Sequence, residues 1–82
     1  MKNDRKTYRK DWPIMLFREK HPSELAIGEM VFQKCYAYPE SAAGPYRVKG
    51  FGNRQIQVEI VGMENSGTFN KAYSTVLVPR YR

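Results

Sequence analysis

The side chains best suited to chemistry lie in one short segment, Gly44 to Gly62. Aromatic and basic residues crowd around a Gly-Asn pair there: Tyr46, Arg47, Lys49, Phe51 and Arg54. Aromatic rings stack on nucleic-acid bases while lysine and arginine pair with phosphates, so this mixture predicts a surface that binds nucleic acid. We expect Arg47, Lys49 and Arg54 to neutralise phosphates. Phe51 and Tyr46 would supply the stacking platforms.

A second basic segment lies at the start of the chain. Residues 1–10 carry five Lys and Arg against one Asp, with no apolar periodicity. Such a segment buries too little apolar surface to offset its chain entropy, which predicts a mobile arm. A basic arm gains affinity for phosphates by releasing counterions, without reading sequence. The residues expected to add this affinity are Arg5, Lys6, Arg9 and Lys10.

The tyrosines favour a different partner. The chain has six tyrosines in 82 residues, and tyrosine is common at protein interfaces because it combines contact area with a polar group. The alternative function is therefore a protein-interaction module, such as an accessory subunit or a small inhibitor from a phage or mobile element, docked on a larger acidic protein. The residues assigned to that interface are Tyr36, Tyr38, Tyr73, Tyr81 and Trp12.

No constellation in the sequence indicates catalysis. His21 is the only histidine and Cys35 the only cysteine, which excludes an intramolecular disulfide and gives no zinc-site spacing. Nothing around these two residues supports a nucleophile–base pair. The Gly50-Phe51-Gly52 segment is a hairpin turn and not a phosphate-binding glycine loop. The sequence predicts a binding module with no catalytic residue, no metal, no cofactor and no small-molecule substrate.

Size and charge agree with a binding role. The 82 residues make one small domain whose core is too thin to enclose a dry catalytic cleft. Fourteen Lys and Arg against eight Asp and Glu give a net charge of +6, which favours DNA, RNA or an acidic protein as partner. The longest apolar run, Ile14 to Phe17, is too short to span a membrane, and the polar start of the chain has no signal-peptide pattern. We therefore expect a cytoplasmic protein without a membrane partner.

The elements that must position these residues divide near Glu24. Residues 1–24 are predicted to form the basic leader, in which Asp11 caps one short helix over residues 13–20. Residues 25–82 show short alternating patterns that predict about five antiparallel strands. The predicted strands cover residues 29–38, 46–51, 55–61 and 73–78, with a further short strand from 68 and a loop over 39–45.

The central hairpin carries the most detailed prediction. Gly52 and Asn53 are expected to supply the positive backbone angles of a tight turn. With Val48 facing the core, strict alternation puts Tyr46 on the same face. The opposite, solvent-facing side of the strand then carries Arg47, Lys49 and Phe51. Closing so small a sheet into a barrel would remove most of its unpaired edges.

Three segments carry a resemblance to a known fold. Leu25 to Val31 is similar to the opening of many SH3-like small barrels, where a hydrophobic residue precedes Gly, an acidic residue and Val. Gly44 to Val48, followed by Ile56 to Ile60, resembles the central hairpin of integrase C-terminal, KOW and Tudor-type domains. The segment from Val76 to Tyr81 fits the closing strand. The resemblance covers residues 25–81 and implies an all-β, SH3-like small barrel.

The resemblance leaves several functions open, since such barrels serve unrelated tasks. Integrase-like and KOW-like barrels bind nucleic acid or the machinery that travels on it, Tudor-like barrels hold methylated side chains in an aromatic cage, and SH3 domains bind proline-rich peptides. Peptide-binding SH3 domains usually carry acidic loop residues and a tryptophan at the groove. Here the loop over residues 38–45 has only Glu40, and the sole tryptophan, Trp12, lies in the leader. These departures argue against the peptide-binding function.

Overall fold

The computed structural model describes residues 8–80. Within this range the chain forms seven β-strands and four single turns of 3-10 helix. The strands are β1 (Arg9–Pro13), β2 (Phe17–Glu19), β3 (Met30–Lys34), β4 (Ser41–Phe51), β5 (Gln55–Ile60), β6 (Thr68–Ala72) and β7 (Val76–Pro79). The 3-10 turns cover Ile14–Leu16, Pro22–Glu24, Glu64–Ser66 and Tyr73–Thr75. The predicted all-β class is confirmed.

The strands form one antiparallel sheet. Their order is β2-β7-β3-β4-β5-β6, and β1 pairs with the first part of β4. Strands β3 to β6 follow one another as a meander, after which β7 returns to pair with β3. In the described part of the chain, β2 and β6 end the path of paired strands and are not joined to each other. The sheet is therefore not closed, whereas closure was expected from the small size of the domain.

The described part of the leader, residues 8–24, contains two strands and two 3-10 turns and no α-helix. The segment predicted to be helical over residues 13–20 contains the end of β1, one 3-10 turn and β2. An isolated helix of about eight residues is marginal in water, so strand pairing outweighs its weak propensity. β1 pairs with Ser41 to Gly44 and β2 pairs with β7, so residues 9–19 belong to the same sheet as the body. Arg9 and Lys10 consequently lie in an ordered strand, contrary to the predicted mobile arm.

Two apolar clusters cover opposite faces of the sheet. The larger cluster contains Leu25, Val31, Ala43, Tyr46, Val48, Ile56, Val58, Val76 and Val78. The smaller cluster contains Trp12, Phe17, Phe32, Ala42 and Leu77. Its two largest leader residues, Trp12 and Phe17, cover the face of the sheet that β3 and β7 would otherwise expose. The Trp12 Nε1–H donates a hydrogen bond of 2.9 Å to the Gly44 carbonyl oxygen, which fixes β1 against β4.

The strand boundaries differ most from the prediction at β4. This strand begins at Ser41, so the loop predicted over residues 39–45 is wrong. Ala42 and Ala43 are buried one on each face, where small side chains leave room for both clusters. β5 was predicted correctly at its start and ends one residue early, with Ile56 and Val58 fully buried. β3 ends at Lys34 and β7 begins at Val76, both shorter than predicted.

Candidate binding cleft

The central hairpin does not present its predicted surface, because β4 contains a bulge. Its register with β5 shifts between Val48 and Gly50. A bulge inserts one residue and reverses the alternation beyond it. Arg47 therefore pairs with Glu59 on the outer face, while Phe51 pairs with Ile56 on the core side. The prediction that Phe51 shares a face with Arg47 and Lys49 is wrong.

The hairpin cations have carboxylate neighbours. The Lys49 Nζ lies 3.7 Å from Glu59 Oε2, and Glu59 is buried and paired in register with Arg47. The Gly62 backbone N–H holds the pKa of Glu64 below its usual range, and the nearby Arg47 and Lys49 act in the same direction with smaller effect. These two carboxylates offset the charge of the two cations. Phosphate binding on this face would have to displace them.

The hairpin tip and its aromatic residues are also separated from that face. Arg54 lies exposed at the turn and itself adopts the positive φ of 70°, which was predicted for Gly52 and Asn53. Phe51 is 45% exposed and lines a groove of about 350 Å³ with His21, Pro22 and Tyr73. Tyr46 is only 3% exposed, so the prediction that it stacks on bases is wrong.

A larger cleft lies beside β1, on the side of the sheet that carries the larger core cluster. It has a volume of about 940 Å³ and is open to solvent. Four strands, β1, β3, β4 and β6, and the loop between β3 and β4 contribute to it. We call it the tyrosine–lysine cleft after its main lining residues, which are Tyr8, Lys10, Tyr36, Tyr38, Tyr46 and Lys71. A smaller depression of about 320 Å³ continues from it, lined by Phe69 and Ile60.

Aromatic rings occupy both the floor and the rim of this cleft. On the floor, the Tyr8 and Tyr46 rings meet edge to face with centroids 5.6 Å apart, and their hydroxyl oxygens form a hydrogen bond of 2.9 Å. On the rim, Tyr36 is 100% exposed and Tyr38 is 70% exposed. The rim rings are available to a ligand, whereas the floor rings are held in place by packing.

Two lysines bring positive charge into the cleft. The Lys71 Nζ lies 5.4 Å from the Tyr46 ring centroid and 5.7 Å from that of Phe69, within the range of cation–π attraction. Burial lowers the pKa of Lys71, and the charge of Lys10 lowers it further. Among residues 8–80, no carboxylate forms a salt bridge with Lys10 or Lys71. An anion entering the cleft would meet two cations that no described carboxylate neutralises.

Arg9, Asp11 and Cys35, which also line the cleft, are already engaged in contacts within the protein. Arg9 donates a hydrogen bond of 2.9 Å to Asp11, lowers the pKa of that carboxyl, and stacks 4.4 Å above the Trp12 ring. The Cys35 thiol donates to the Lys10 carbonyl oxygen at 3.4 Å, and burial raises the pKa of the thiol. Within residues 8–80, no three His, Cys, Asp or Glu side chains could share a metal ion.

The structure brings some of the predicted site residues together and separates others. Lys10, Tyr36 and Tyr38 meet in the cleft, whereas Tyr73 lies at the hairpin end and donates to the Gly52 carbonyl oxygen at 2.7 Å. Trp12 is buried in the smaller cluster, so the prediction that it docks a partner is wrong. Three further predicted residues, Arg5, Lys6 and Tyr81, lie outside the described residues.

Sequence reasoning missed Tyr8 and Lys71 as cleft residues. Tyr8 lies among the charges of the basic arm, and Lys71 lies in a segment for which only the start of a short strand, at residue 68, is predicted. The sequence does contain one indication of Lys71. Phe69, Lys71 and Tyr73 are spaced two residues apart, which fits a strand with three larger side chains on one face. Their meeting with β1 depends on pairing through β4 and β5, which no local pattern reports.

Comparisons of the chain with protein-family models, with curated proteins and with solved structures found no match. In the part of the chain that the structure describes, no helix is long and apolar enough to cross a membrane. The cleft must therefore be interpreted from its own geometry and charge.

Proposed function

We propose that this chain is a non-catalytic module that binds single-stranded nucleic acid in the tyrosine–lysine cleft. The observation that carries the proposal is the placement of two exposed rings, Tyr36 and Tyr38, in the same cleft as Lys10 and Lys71. Grooves that combine stacking platforms with backbone-tracking cations are typical of proteins that bind single strands without sequence preference. The net charge of +6 supports the same class of partner.

The rim tyrosines suit unpaired bases. A base inside a duplex offers only its edges, whereas an unpaired base offers its face to an aromatic side chain. Tyr36 and Tyr38 project from the connection between β3 and β4, where their rings meet solvent. Each stacked base is worth about 1–3 kcal/mol by alanine substitution, so two rings supply a substantial part of micromolar affinity.

The two lysines suit the backbone of such a strand. Lys10 and Lys71 come from different strands, β1 and β6, and reach the same cleft. A phosphate between them would gain two cations and release condensed counterions, which makes affinity depend on salt. This arrangement replaces the hairpin face as the phosphate site, because Glu59 lies 3.7 Å from Lys49 and Glu64 lies near both Arg47 and Lys49.

We propose further that β3 to β7 are an SH3-like small barrel in an open form. The support is the meander of β3, β4, β5 and β6, with β7 returning to β3. This strand order is in line with the resemblance of residues 25–81 to such barrels. The pairing of β1 with β4 and of β2 with β7 would then be an addition to the barrel.

The test is a fluorescence-anisotropy titration of labelled oligonucleotides of about 12 nucleotides, single-stranded and duplex, over a salt series. We expect single strands to bind more tightly than duplex, with affinity falling as salt rises. The double variant Lys10→Gln with Lys71→Gln should lose most of this affinity. The matched control, Arg47→Gln with Lys49→Gln, removes the same charge and should lose little. Equal loss from the two double variants would overturn the assignment of the cleft.

The full exposure of Tyr36 favours one further candidate, a protein-interaction module that docks its rim tyrosines onto a larger partner. In that case Tyr36→Ala with Tyr38→Ala abolishes capture of one stoichiometric protein, while Lys10 and Lys71 substitutions have little effect. Oligonucleotide binding would then be absent at low salt. The two candidates therefore differ in the effect of the Lys10 and Lys71 substitutions and in oligonucleotide binding at low salt.

A further inference from the structure

The tyrosine–lysine cleft contains an amine in an unusual setting. Lys71 is partly buried on β6, between the rings of Tyr46 and Phe69. Most surface lysines stay in water, where the ammonium is fully hydrated. Here the same cleft also holds a second ammonium, that of Lys10. The loss of water and the like charge disfavour the protonated form of Lys71, whereas the two rings attract it; the net effect is a lowered pKa.

No other charged group of the cleft reverses this effect. Besides the two lysines, its charged lining residues within the described range are Arg9 and Asp11, and they are bonded to each other at 2.9 Å. Its other titratable groups are the Cys35 thiol and the tyrosine hydroxyls. Burial lowers the pKa of Lys71 and Lys10 adds to the shift, so Lys71 has a larger neutral fraction than an ordinary lysine. The neutral amine is the nucleophilic form.

We propose that the Lys71 amine is a nucleophile that condenses with aldehydes bearing an anionic group, forming an imine inside the cleft. The reaction is independent of the nucleic-acid binding proposed above. The nitrogen lone pair forms a C–N bond to the carbonyl carbon, and a proton moves from nitrogen to oxygen to give a carbinolamine. The remaining N–H proton then moves to the hydroxyl, the C–O bond breaks, water leaves, and the C=N bond forms. No oxidant or reductant is required.

The surroundings of Lys71 define the class of aldehyde. Lys10 supplies a cation for an anionic substituent, and the exposed rings of Tyr36 and Tyr38 suit a flat or apolar body. The Tyr8–Tyr46 hydroxyl pair lies in the same cleft and offers an O–H donor to the carbonyl oxygen. Burial raises the pKa of Tyr46, with the Tyr8 hydroxyl adding to the shift, so this group stays protonated. A planar phosphorylated aldehyde matches all of these features.

Pyridoxal 5′-phosphate is a suitable probe, because it is planar, anionic and an aldehyde. The full chain is incubated with it at about pH 7, borohydride converts each imine to a stable secondary amine, and peptide mass spectrometry gives the extent of modification at every lysine. We expect Lys71 to be modified several-fold more than Lys49, although Lys49 is more exposed. Modification that follows exposure, with Lys49 equal to or above Lys71, would overturn the proposal.

Three controls test whether the lowered pKa, the Lys71 amine and the anionic group account for the modification. Near pH 10.5, where ordinary lysines are half neutral, the preference for Lys71 should largely disappear, and a preference unchanged there would contradict a lowered proton affinity. Lys71→Arg should remove the dominant adduct, whereas Lys49→Arg should leave it. Benzaldehyde, which lacks the phosphate, should show a several-fold smaller ratio of Lys71 to Lys49 modification, and an equal ratio with the two aldehydes would exclude the anionic group from recognition. The comparison among lysines within one wild-type molecule does not depend on how any variant folds.

Discussion

The hydroxyl oxygens of Tyr8 and Tyr46 lie 2.9 Å apart, in a hydrogen bond that joins the start of the leader to the middle of β4. Tyr46 is buried in the larger core cluster, while Tyr8 lies half-buried at the floor of the cleft. The pair therefore connects the core with the candidate binding site. It also gives the domain a titratable group whose ionisation is opposed by burial.

Alkaline conditions should destabilise the domain through Tyr46. Burial, and next the hydrogen bond with Tyr8, raise the pKa of Tyr46 above the 10.0 of a free tyrosine. The folded state then holds the proton that the unfolded chain loses, so this stabilisation is complete below pH 10 and is lost as pH rises above it. Urea unfolding at several pH values should show a steeper alkaline decline for the wild type than for Tyr46→Phe. Tyr8→Phe should lie between them, and parallel declines in all three would contradict this assignment.

Trp12 should be essential to folding, although it lies in the leader. Its indole is buried against Phe32 and Leu77, and its Nε1–H is bonded to the buried Gly44 carbonyl. Trp12→Ala should cost about 3–5 kcal/mol. Trp12→Phe keeps most of the apolar volume but leaves the carbonyl unsatisfied, at a cost of about 1–3 kcal/mol.

The measurement is urea unfolding followed by circular dichroism, because Trp12 is the only tryptophan and its fluorescence is lost in both variants. Met15→Ala is the matched control, since Met15 lies three residues away and is exposed. A Trp12→Ala cost as small as that of Met15→Ala would show that β1 and β2 do not stabilise the sheet.

Gly44 should tolerate no side chain. A Cβ built on it would lie 2.5 Å from Cδ2 of Phe32, and its φ of 153° is one that L side chains rarely adopt. Gly62 has a comparably unfavourable φ of 91° but no atom within 4 Å of its Cβ position. Gly62→Ala should therefore cost about 1–2 kcal/mol from backbone strain alone. Gly44→Ala should cost about 1–3 kcal/mol more, because the Phe32 ring must move.

Chemical denaturation of the two alanine variants checks this difference. If Gly44→Ala lowers the free energy of unfolding no more than Gly62→Ala does, the Phe32 ring moves aside at no energetic cost. Adding Phe32→Leu should then recover part of the Gly44→Ala loss if the clash is its cause, because residues in contact do not behave additively.

The sequence predicts those parts of the fold that depend on local alternation. β5 was predicted correctly because Ile56 and Val58 alternate with Gln55 and Gln57. Such alternation is typical of a half-buried strand. The 13–20 segment was misassigned because four consecutive apolar residues, Ile14 to Phe17, fit a helix as well as a strand. Its true conformation follows from pairing with β4 and β7, which are distant in sequence.

The candidate site was predicted less well than the fold, for two physical reasons. The bulge after Val48 reverses which face Phe51 occupies, and its local sign in the sequence is Gly50, since a glycine inside a strand pattern can mark a bulge without fixing the register. The cleft that the structure presents unites β1, β4, β6 and the β3–β4 connection, so its members are scattered through the chain. Lys10, Tyr36 and Tyr38 were chosen for their chemistry, but their proximity to Lys71 arises only from the strand order.

Oligonucleotide affinity should depend on the protonation of Lys71. Its pKa lies below the 10.5 of an ordinary lysine, chiefly because it is buried and further because Lys10 is near. Phosphate binding requires the ammonium form, so affinity is full at low pH and is lost as pH rises through this lowered pKa.

Anisotropy titrations between about pH 7 and 10 at constant ionic strength should show that affinity declines at a lower pH than it would with ordinary surface lysines. Lys71→Arg stays charged throughout and should flatten the profile, whereas the control Lys49→Arg should not change it. Superimposable profiles for wild type and Lys71→Arg would remove Lys71 from the phosphate site, because an arginine at a contacting position cannot lose its charge in this range.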